Sequence, residues 1–399
     1  MRIGVDATSV RPGHSAGIEA FTYGLLNGMA NSPHELTVHV LNGTGDEWRQ
    51  RVSSERIVWS EVRALLRTDN RLGRLLRRHT PRAAVTSVAL RRTINLVRQL
   101  NRSPASGVDV TVYPFSGVPV HAEPSVIVLH DLRALQPGLG SAGFAEVIRR
   151  NVARAGAVVM SWPHPYEQAV RAFPEARDKI AMIPLPAFHA ARPQLSTEPE
   201  PGLLLFPSST APLKNHATLL EAMALLPECR LVCPGPLVEP EASRLLARAA
   251  RPDLRGRVSF PGFVSTEDLA SLYARASAVV VPSLWEAASG AMLEAFSWGV
   301  PVACADSEPL LAQLDFTGAD AAVFAAHDPA ALAAAVRRLL EEREHYARAS
   351  RAAGALLAAR TWRDTAADYI AVLDWVRAGR PGPMPRSSFA ETLLTKGAR

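Results

Sequence analysis

Cysteine is scarce in this chain: 399 residues contain three, Cys229, Cys233 and Cys304. Cys229 and Cys233 flank the strand-like RLV with no CxxC pair and no nearby histidine partner. That rules out a disulfide framework and a zinc site, and all three read as reduced structural residues. Lysine is scarcer than it looks, because only Lys179, Lys214 and Lys396 stand among 44 basic residues. A lysine that persists at a motif position is then informative. No uninterrupted apolar run approaches the ~20 residues of a membrane span. The opening MRIGVDAT reads as a strand and not as a charged segment followed by an apolar export run. A cytoplasmic protein is expected. The loop after that first strand, GVDATSVRPGHSAG, also lacks the G-x-G-x-x-G of a dinucleotide-binding dehydrogenase.

What is present is apolar residues, 48% of the chain, in a length suited to two domains of roughly 150 to 200 residues. RIGVDA, LTVHVLN, VDVTVYP, SVIVLHD and AVVMS read as short buried strands, with helical patterns between and after them in AGIEAF to about Met29, SAGFAEVIRRNVARA and PYEQAVRAF. A proline-rich stretch without period, Pro184 to about Gly202, reads as a linker. The alternation then restarts: LLLFPSS, RLVCPG, RVSFPG, AVVVPS and VPVACAD as strands, with HATLLEAMALL, EASRLLARAA and TEDLASLYARA as helices and long alanine-rich helices to about Ala378. The fold class expected is α/β, two Rossmann-like domains facing each other across a cleft. Their expected bounds are 1–187, 188–365, and a C-terminal helix and tail, 366–399, returning toward the first domain.

PSLWEAASGAMLEAFSWGVPV, from Pro282 to Val302, carries the chemistry. Ser289 suits the N-cap of a helix that runs to Trp298 and stops at Gly299, ahead of Pro301. The unpaired amides and dipole at such a helix start favour a diphosphate. Glu286 stands just before that start, and Glu294 lies roughly 7 Å along the axis beyond it. Carboxylates accept hydrogen bonds from hydroxyl pairs, so a ribose on one flank and a sugar on the other would satisfy both. Taken alone, an E-x7-E pair is a solvated helix acid and a dipole-compensating one; the surrounding sequence favours a nucleotide-sugar clamp.

PGFVSTEDLASLYARASAVVVPSLWEAASGAMLEAFSWGVPV, with FPSSTAPLKNHATLLEA, VIVLHDL, KIAMIPLP and the opening GVDA and AGIEAF, resembles the GT-B-fold retaining glycosyltransferases of family 4, in their KNH-type, mannosyltransferase-like branch. The resemblance spans about residues 1 to 370. It implies transfer of a sugar from a nucleotide-diphosphate donor to an acceptor hydroxyl with retention, needing neither metal nor cofactor. The acceptor would be a glycan, a lipid-linked saccharide or a small natural product. By resemblance, Glu294 would bind the ribose diol, Glu286 the hydroxyls of the transferred sugar, and Lys214 the departing diphosphate. Gly17 would let the first loop approach the donor, and His130 would sit over the sugar. Ser208, Ser209, Gly262, Phe263, Ala288, Ser289, Gly290 and Ala291 would complete the donor site. Asp131, Arg133 and Ser161 are acceptor-side candidates.

Two departures stand out. Where the family often has arginine five residues before the lysine, this chain has Ser209, and the usual E-G-F-G has become Glu286-Ala287-Ala288-Ser289-Gly290. Ala287 takes up strained backbone angles less readily than glycine, which bears on donor geometry. The rival readings are therefore a non-catalytic nucleotide-sugar-binding partner subunit and a GT-B-fold nucleotide-sugar epimerase. A metal-dependent sugar transferase of the other common fold needs D-x-D, and the chain contains none.

Arg63 to Arg102 holds eleven arginines against the single acid Asp69, a net +10 in a chain of net +6. Leucines 65, 66, 72, 75 and 76 recur among them at helical spacing. A helix pair with solvated arginines outside is one expectation. A second is a peripheral contact with anionic membrane at the inner face, with each basic residue contributing about 1 kcal/mol near the surface, and a third is an acidic soluble acceptor or partner meeting the same charge. Without an aromatic stacking platform, nucleic acid is not an expected partner.

Overall fold

The computed structural model describes residues 1–13, 16–52, 54–62, 107–117, 119–136, 139, 142–186 and 198–391. The arginine-rich stretch from Arg63 to Arg102 lies outside the described residues. The chain divides into two compact units. The first comprises Met1–Ser161, Pro165–Pro184 and Trp362–Ala390; the second comprises Trp162–His164, Leu185–Thr361 and Glu391–Arg399.

Along the first part of the chain run β1 (Arg2–Asp6), α1 (Ala16–Ala30), β2 (Glu35–Leu41), α2 (Gly45–Arg51), β3 (Ile57–Val62), β4 (Val110–Tyr113), β5 (Ser125–Val128), α3 (Ala142–Arg154), β6 (Ala157–Met160), α4 (Pro163–Ala172) and β7 (Ile180–Met182). The strands form one parallel sheet in the order β3-β2-β1-β4-β5-β6-β7. Every residue of β4, β5 and β6 is buried, which is why these strands read as unbroken β-branched runs: helices cover both faces of a parallel sheet. The order reverses between β1 and β4, so the loops leaving these two strands diverge.

The second series is β8 (Leu203–Leu205), α5 (His216–Ala224), β9 (Arg230–Pro234), α6 (Glu241–Ala249), β10 (Val258–Gly262), α7 (Thr266–Arg275), β11 (Ala278–Val281), α8 (Gly290–Trp298), β12 (Val302–Ala305), α9 (Glu308–Thr317), β13 (Ala322–Phe324), α10 (Pro329–Glu341), α11 (Arg343–Ala358) and α12 (Trp362–Arg377). Its strands form a second parallel sheet, β10-β9-β8-β11-β12-β13, with the reversal between β8 and β11. Both units are thus Rossmann-like, the α/β architecture expected. Their sheets also contain β3, β7 and β13, which were not foreseen; β7 and β13 have three residues each, too short for a period to register.

Residues Trp362–Ala390 belong to the first unit. The contact is built on Gly24 and Gly28 of α1, one turn apart: a methyl at Gly24 would strike the Trp362 indole, and one at Gly28 the Trp362 carbonyl. Phe21 adds an edge contact with the same indole at 6.1 Å. Among the described residues, no helix is long and apolar enough to cross a membrane.

Candidate active site

In open parallel sheets the crevice for ligands forms beyond the carboxyl ends of the strands where the strand order reverses. In the second unit that place lies between the loops leaving β8 and β11. The first ends in the 3-10 turn Pro212–Lys214 and the second runs from Pro282 to the N-cap Ser289. Lys214 and Glu286, 72 residues apart in sequence, meet there: Nζ lies 2.6 Å from Oε1 and 2.7 Å from Oε2. The Lys214 side chain is 25% exposed and that of Glu286 9%. A pair so desolvated holds together only while both partners are present, and removing one strands the other's charge.

Four hydrogen bonds fix the frame. Leu284 N–H donates to the Leu213 carbonyl at 2.9 Å, lacing the two loops directly. Asn215, next to the lysine, sits in the left-handed region at φ 56, which asparagine tolerates better than most residues. Its Nδ2 donates to the carbonyls of Pro282 (3.1 Å) and Ala326 (2.7 Å), and its Oδ1 accepts from the Thr218 hydroxyl (2.8 Å). The turn of Lys214 is thereby tied to the loops after β11 and β13.

At the start of α8, the Ser289 hydroxyl accepts from Met292 N–H at 3.4 Å. Buried Gln313 on α9 grips the Ser289 backbone at both ends, accepting from its N–H at 2.8 Å and donating to its carbonyl at 3.2 Å. The first amides of a helix have no intrahelical partner. With those of Ser289 and Met292 engaged, an anion at this helix end meets the Gly290 and Ala291 amides. Gly290 is exposed, with nothing within 4 Å of where a side chain would begin. Ala287 and Ala288 follow Glu286 without strain: among the described residues, the non-glycine residues at positive φ are Asn215 and Arg380. Glu294 is half-buried about one turn into α8, eight residues beyond Glu286.

Ser208 and Ser209 lie in the loop after β8, with Ser208 N–H bound to the Pro234 carbonyl at 2.9 Å. Gly235, at φ 144, makes this closeness possible, since a side chain there would strike the Ser208 carbonyl. Gly262 (φ 76) ends the edge strand β10 and accepts from Gly235 N–H at 2.8 Å. Phe263 follows it, 72% exposed. These two stand two strands from β8, roughly 10 Å at the usual strand spacing.

His216 underlies the lysine. Its ring is buried between Phe206 and Phe260, at 4.8 and 5.9 Å, and neither ring nitrogen has a hydrogen-bond partner among the described residues. Burial, reinforced by the charge of Lys214, lowers its pKa to about 4.

The candidates of the first unit occupy their own strand ends. His130 follows β5; its Nε2 lies 2.8 Å from the Pro114 carbonyl, which can only accept, so Nε2 carries the proton and Nδ1 is the acceptor. Burial lowers its pKa, against the raising effect of that hydrogen bond and of Asp131, and Phe21 meets the ring edge-on at 4.9 Å. Asp131 and Arg133 serve each other within one turn, through an N–H bond of 3.0 Å and an ion pair of 3.7 Å. Ser161 is buried, and its hydroxyl has no partner among the described residues. Gly17 is exposed in the first turn of α1, with nothing within 4 Å of where a side chain would begin. Asn215 and Gln313 were missed by sequence reasoning. Asn215 was visible inside KNH, whereas Gln313 lies in SEPLLAQL without any motif of its own.

Residues 188–355, which include Lys214, Glu286 and Glu294, match the family described as Glycosyl transferases group 1. The match lies within the second unit and is a similarity to that family over this part of the chain. A D-inositol 3-phosphate glycosyltransferase of Streptomyces avermitilis is 32% identical over 244 residues, 55% of this chain and 52% of that protein. The O-antigen chain mannosyltransferase B of Escherichia coli is 37% identical over 112 residues, 26% of this chain and 29% of its own length. The chain thus spans about half, or less, of these relatives' lengths. In fold the whole chain is similar to HepE of Anabaena, solved with UDP and glucose: TM-score 0.66 and 17% identity, over 93% of this chain and 99% of that one. The region matching that family therefore sits in a chain of two Rossmann-like units whose fold is similar to that of HepE.

Proposed function

We propose that this chain transfers a sugar from a nucleoside diphosphate sugar to an acceptor hydroxyl, with retention of anomeric configuration and without a divalent metal or other cofactor. The observation that carries the reading is the Lys214–Glu286 pair at the strand-order reversal, beside the capped start of α8. Breaking the glycosidic bond leaves negative charge on the diphosphate and positive charge on the sugar ring. A fixed ammonium group and the Gly290 and Ala291 amides would stabilise the leaving group as that charge develops. The arriving diphosphate competes with Glu286 for Lys214, freeing carboxylate oxygens for sugar hydroxyls. Glu294 would take the ribose diol, with Ser208, Ser209, Ala288 and Ser289 lining the path, and the nucleoside would extend toward Gly262 and Phe263. Gly17, His130, Asp131, Arg133 and Ser161 would be the first unit's contribution to the reaction.

The names of the relatives, an inositol 3-phosphate glycosyltransferase and an O-antigen mannosyltransferase, support a polyol or saccharide acceptor, and a family 4, mannosyltransferase-like assignment. A cytoplasmic protein with a peripheral membrane contact through Arg63 to Arg102 is part of the same proposal and awaits liposome co-sedimentation. The deciding experiment incubates the protein with UDP-, GDP- and dTDP-sugars in EDTA and follows nucleoside diphosphate release. One donor is expected to turn over, more quickly with a polyol or saccharide acceptor, giving a product of unchanged anomeric configuration by NMR. Turnover that requires magnesium, or an inverted product, would overturn the corresponding part, and binding without turnover would favour a partner subunit.

A further inference from the structure

We infer that Asn215 is a positioning residue for Lys214, fixing where the ammonium group stands against a bound diphosphate. The inference rests on the donor-site reading above. Lysine is a flexible point charge, and only its backbone and the group it pairs with define its location. The pairing with Glu286 has to loosen when a diphosphate arrives, so the lasting constraint must come through the backbone. Asn215 supplies it. Its two amide protons go to the carbonyls of Pro282 and Ala326, at 3.1 and 2.7 Å, on the loops that leave two different strands. Its side-chain oxygen accepts from Thr218 in the first turn of α5. Its left-handed backbone, φ 56 and ψ 36, at once ends the lysine's 3-10 turn and starts α5. One residue therefore laces the lysine's turn to the Glu286 loop and to the sheet beyond it. Its carboxamide is neutral and 8% exposed, and it uses both protons and the oxygen internally, so it contacts no ligand itself.

A double-mutant cycle on nucleotide binding tests this with UDP and GDP as probes, measured by calorimetry on the full chain. Asn215→Gly keeps the left-handed backbone and loses the carboxamide. Asn215→Asp keeps the shape and the oxygen facing Thr218 but sets a second oxygen against two carbonyls. In the Lys214 background each variant is expected to weaken the better nucleotide about tenfold or more. In the Lys214→Ala background the further loss is expected to stay within about twofold, because residues acting through one another are not additive. An equal loss in both backgrounds would mean that Asn215 only holds the domain together, and no loss in either would mean that it does nothing for the site; both overturn the inference. If the unmutated protein binds neither nucleotide, the donor-site reading fails first, a result distinct from the other two. Two substitutions guard against one failing to fold, and thermal melting of each identifies such a case.

Discussion

Each unit places a buried glutamate beside the loop that leaves a strand at the reversal of its sheet, and each glutamate has a basic partner, yet the two arrangements do different things. In the first unit Glu19, on α1, accepts from Gly13 N–H at 2.9 Å and pairs with Arg51. Arg51 also lies over the Tyr23 ring, 5.2 Å from its centroid. Asp6 takes Thr8 N–H at 3.1 Å and the Thr8 hydroxyl at 2.6 Å. Carboxylates thus take two amides of this loop, those of Thr8 and Gly13. In the second unit both oxygens of Glu286 go to Lys214, and a neutral carboxamide, Gln313, takes the Ser289 amide. The same ingredients give a structural staple in one place and, in the other, an ion pair beside a capped helix start, which under the proposed function a diphosphate would open. What separates them is whether the acid holds backbone or a mobile cation.

The sharpest break of this contrast is Lys214→Ala. It removes the ammonium group and leaves Glu286 charged and desolvated beside the helix start, so diphosphate affinity and transfer should both fall. By analogy with lost oxyanion donors, the expected cost in the transfer barrier is about 3 kcal/mol, roughly a hundredfold in rate. Glu286→Gln should lower turnover more than nucleotide affinity, and Glu294→Gln the reverse. Equal small changes in both parameters for both glutamate variants would argue against a clamp.

Acid sensitivity separates the units next. His39 on β2 and His216 are both buried, and both have lowered pKa values. For His39 the nearby Asp6 opposes the effect of burial, whereas for His216 Lys214 adds to it. With His216 at about 4 in the folded chain and about 6.5 unfolded, the unfolded chain takes up the proton first on acidification. This contribution to stability is therefore complete above pH 6.5 and is lost as pH falls toward 4, amounting to about 3 kcal/mol. His216→Phe, set among Phe206 and Phe260, should flatten denaturant midpoints over that window. An unchanged pH profile would place the acid sensitivity elsewhere.

The sequence revealed most where one segment carries a whole device. The α8 region shows its N-cap, its carboxylates and its terminating Gly299 within 21 residues, and Gly299 does adopt the left-handed backbone, at φ 66. Strands of four or more buried residues announced themselves by β-branching. What remained hidden depends on partners distant in sequence: the meeting of Lys214 with Glu286 across 72 residues, the reach of Gln313 across 24 to Ser289, and the ties of Asn215 to Pro282 and Ala326. Lys214 was legible through KNH and the scarcity of lysine. Its ion pair was not, because nothing in a linear pattern says which carboxylate a lysine will face.

A third test addresses how the first unit is closed by the end of the chain. Gly24→Ala puts a methyl into the Trp362 indole, and overpacking of this kind typically costs about 1–3 kcal/mol. The variant should melt earlier, while the nucleotide binding proposed for the second unit should be unchanged. Gly290→Ala, which meets nothing within 4 Å, should leave melting nearly unchanged. If Gly24→Ala melts like the parent, α12 has room to shift on α1, and the glycine notch does not set their spacing.

Glu19→Gln should have the smallest effect, and for that reason it tests the comparison from the other side. Glutamine keeps an oxygen for Gly13 N–H, so the loop after β1 stays tied down. Only the charge pairing with Arg51 is lost, and Arg51 is about half exposed, so solvent already screens the interaction. Glu19 itself is buried, but the Arg51 end of the pair is solvated, which brings its worth toward the about 0.2–1 kcal/mol of exposed pairs. Stability should therefore drop by no more than that, with added salt shrinking the difference between variant and parent, and nucleotide affinity should be unaffected. Denaturant titrations at low and high salt, together with UDP and GDP calorimetry, check both halves. Should Glu19→Gln instead tighten nucleotide binding several-fold, the loop after β1 would be an anion site held shut by its own acid, and the contrast between staple and site would collapse.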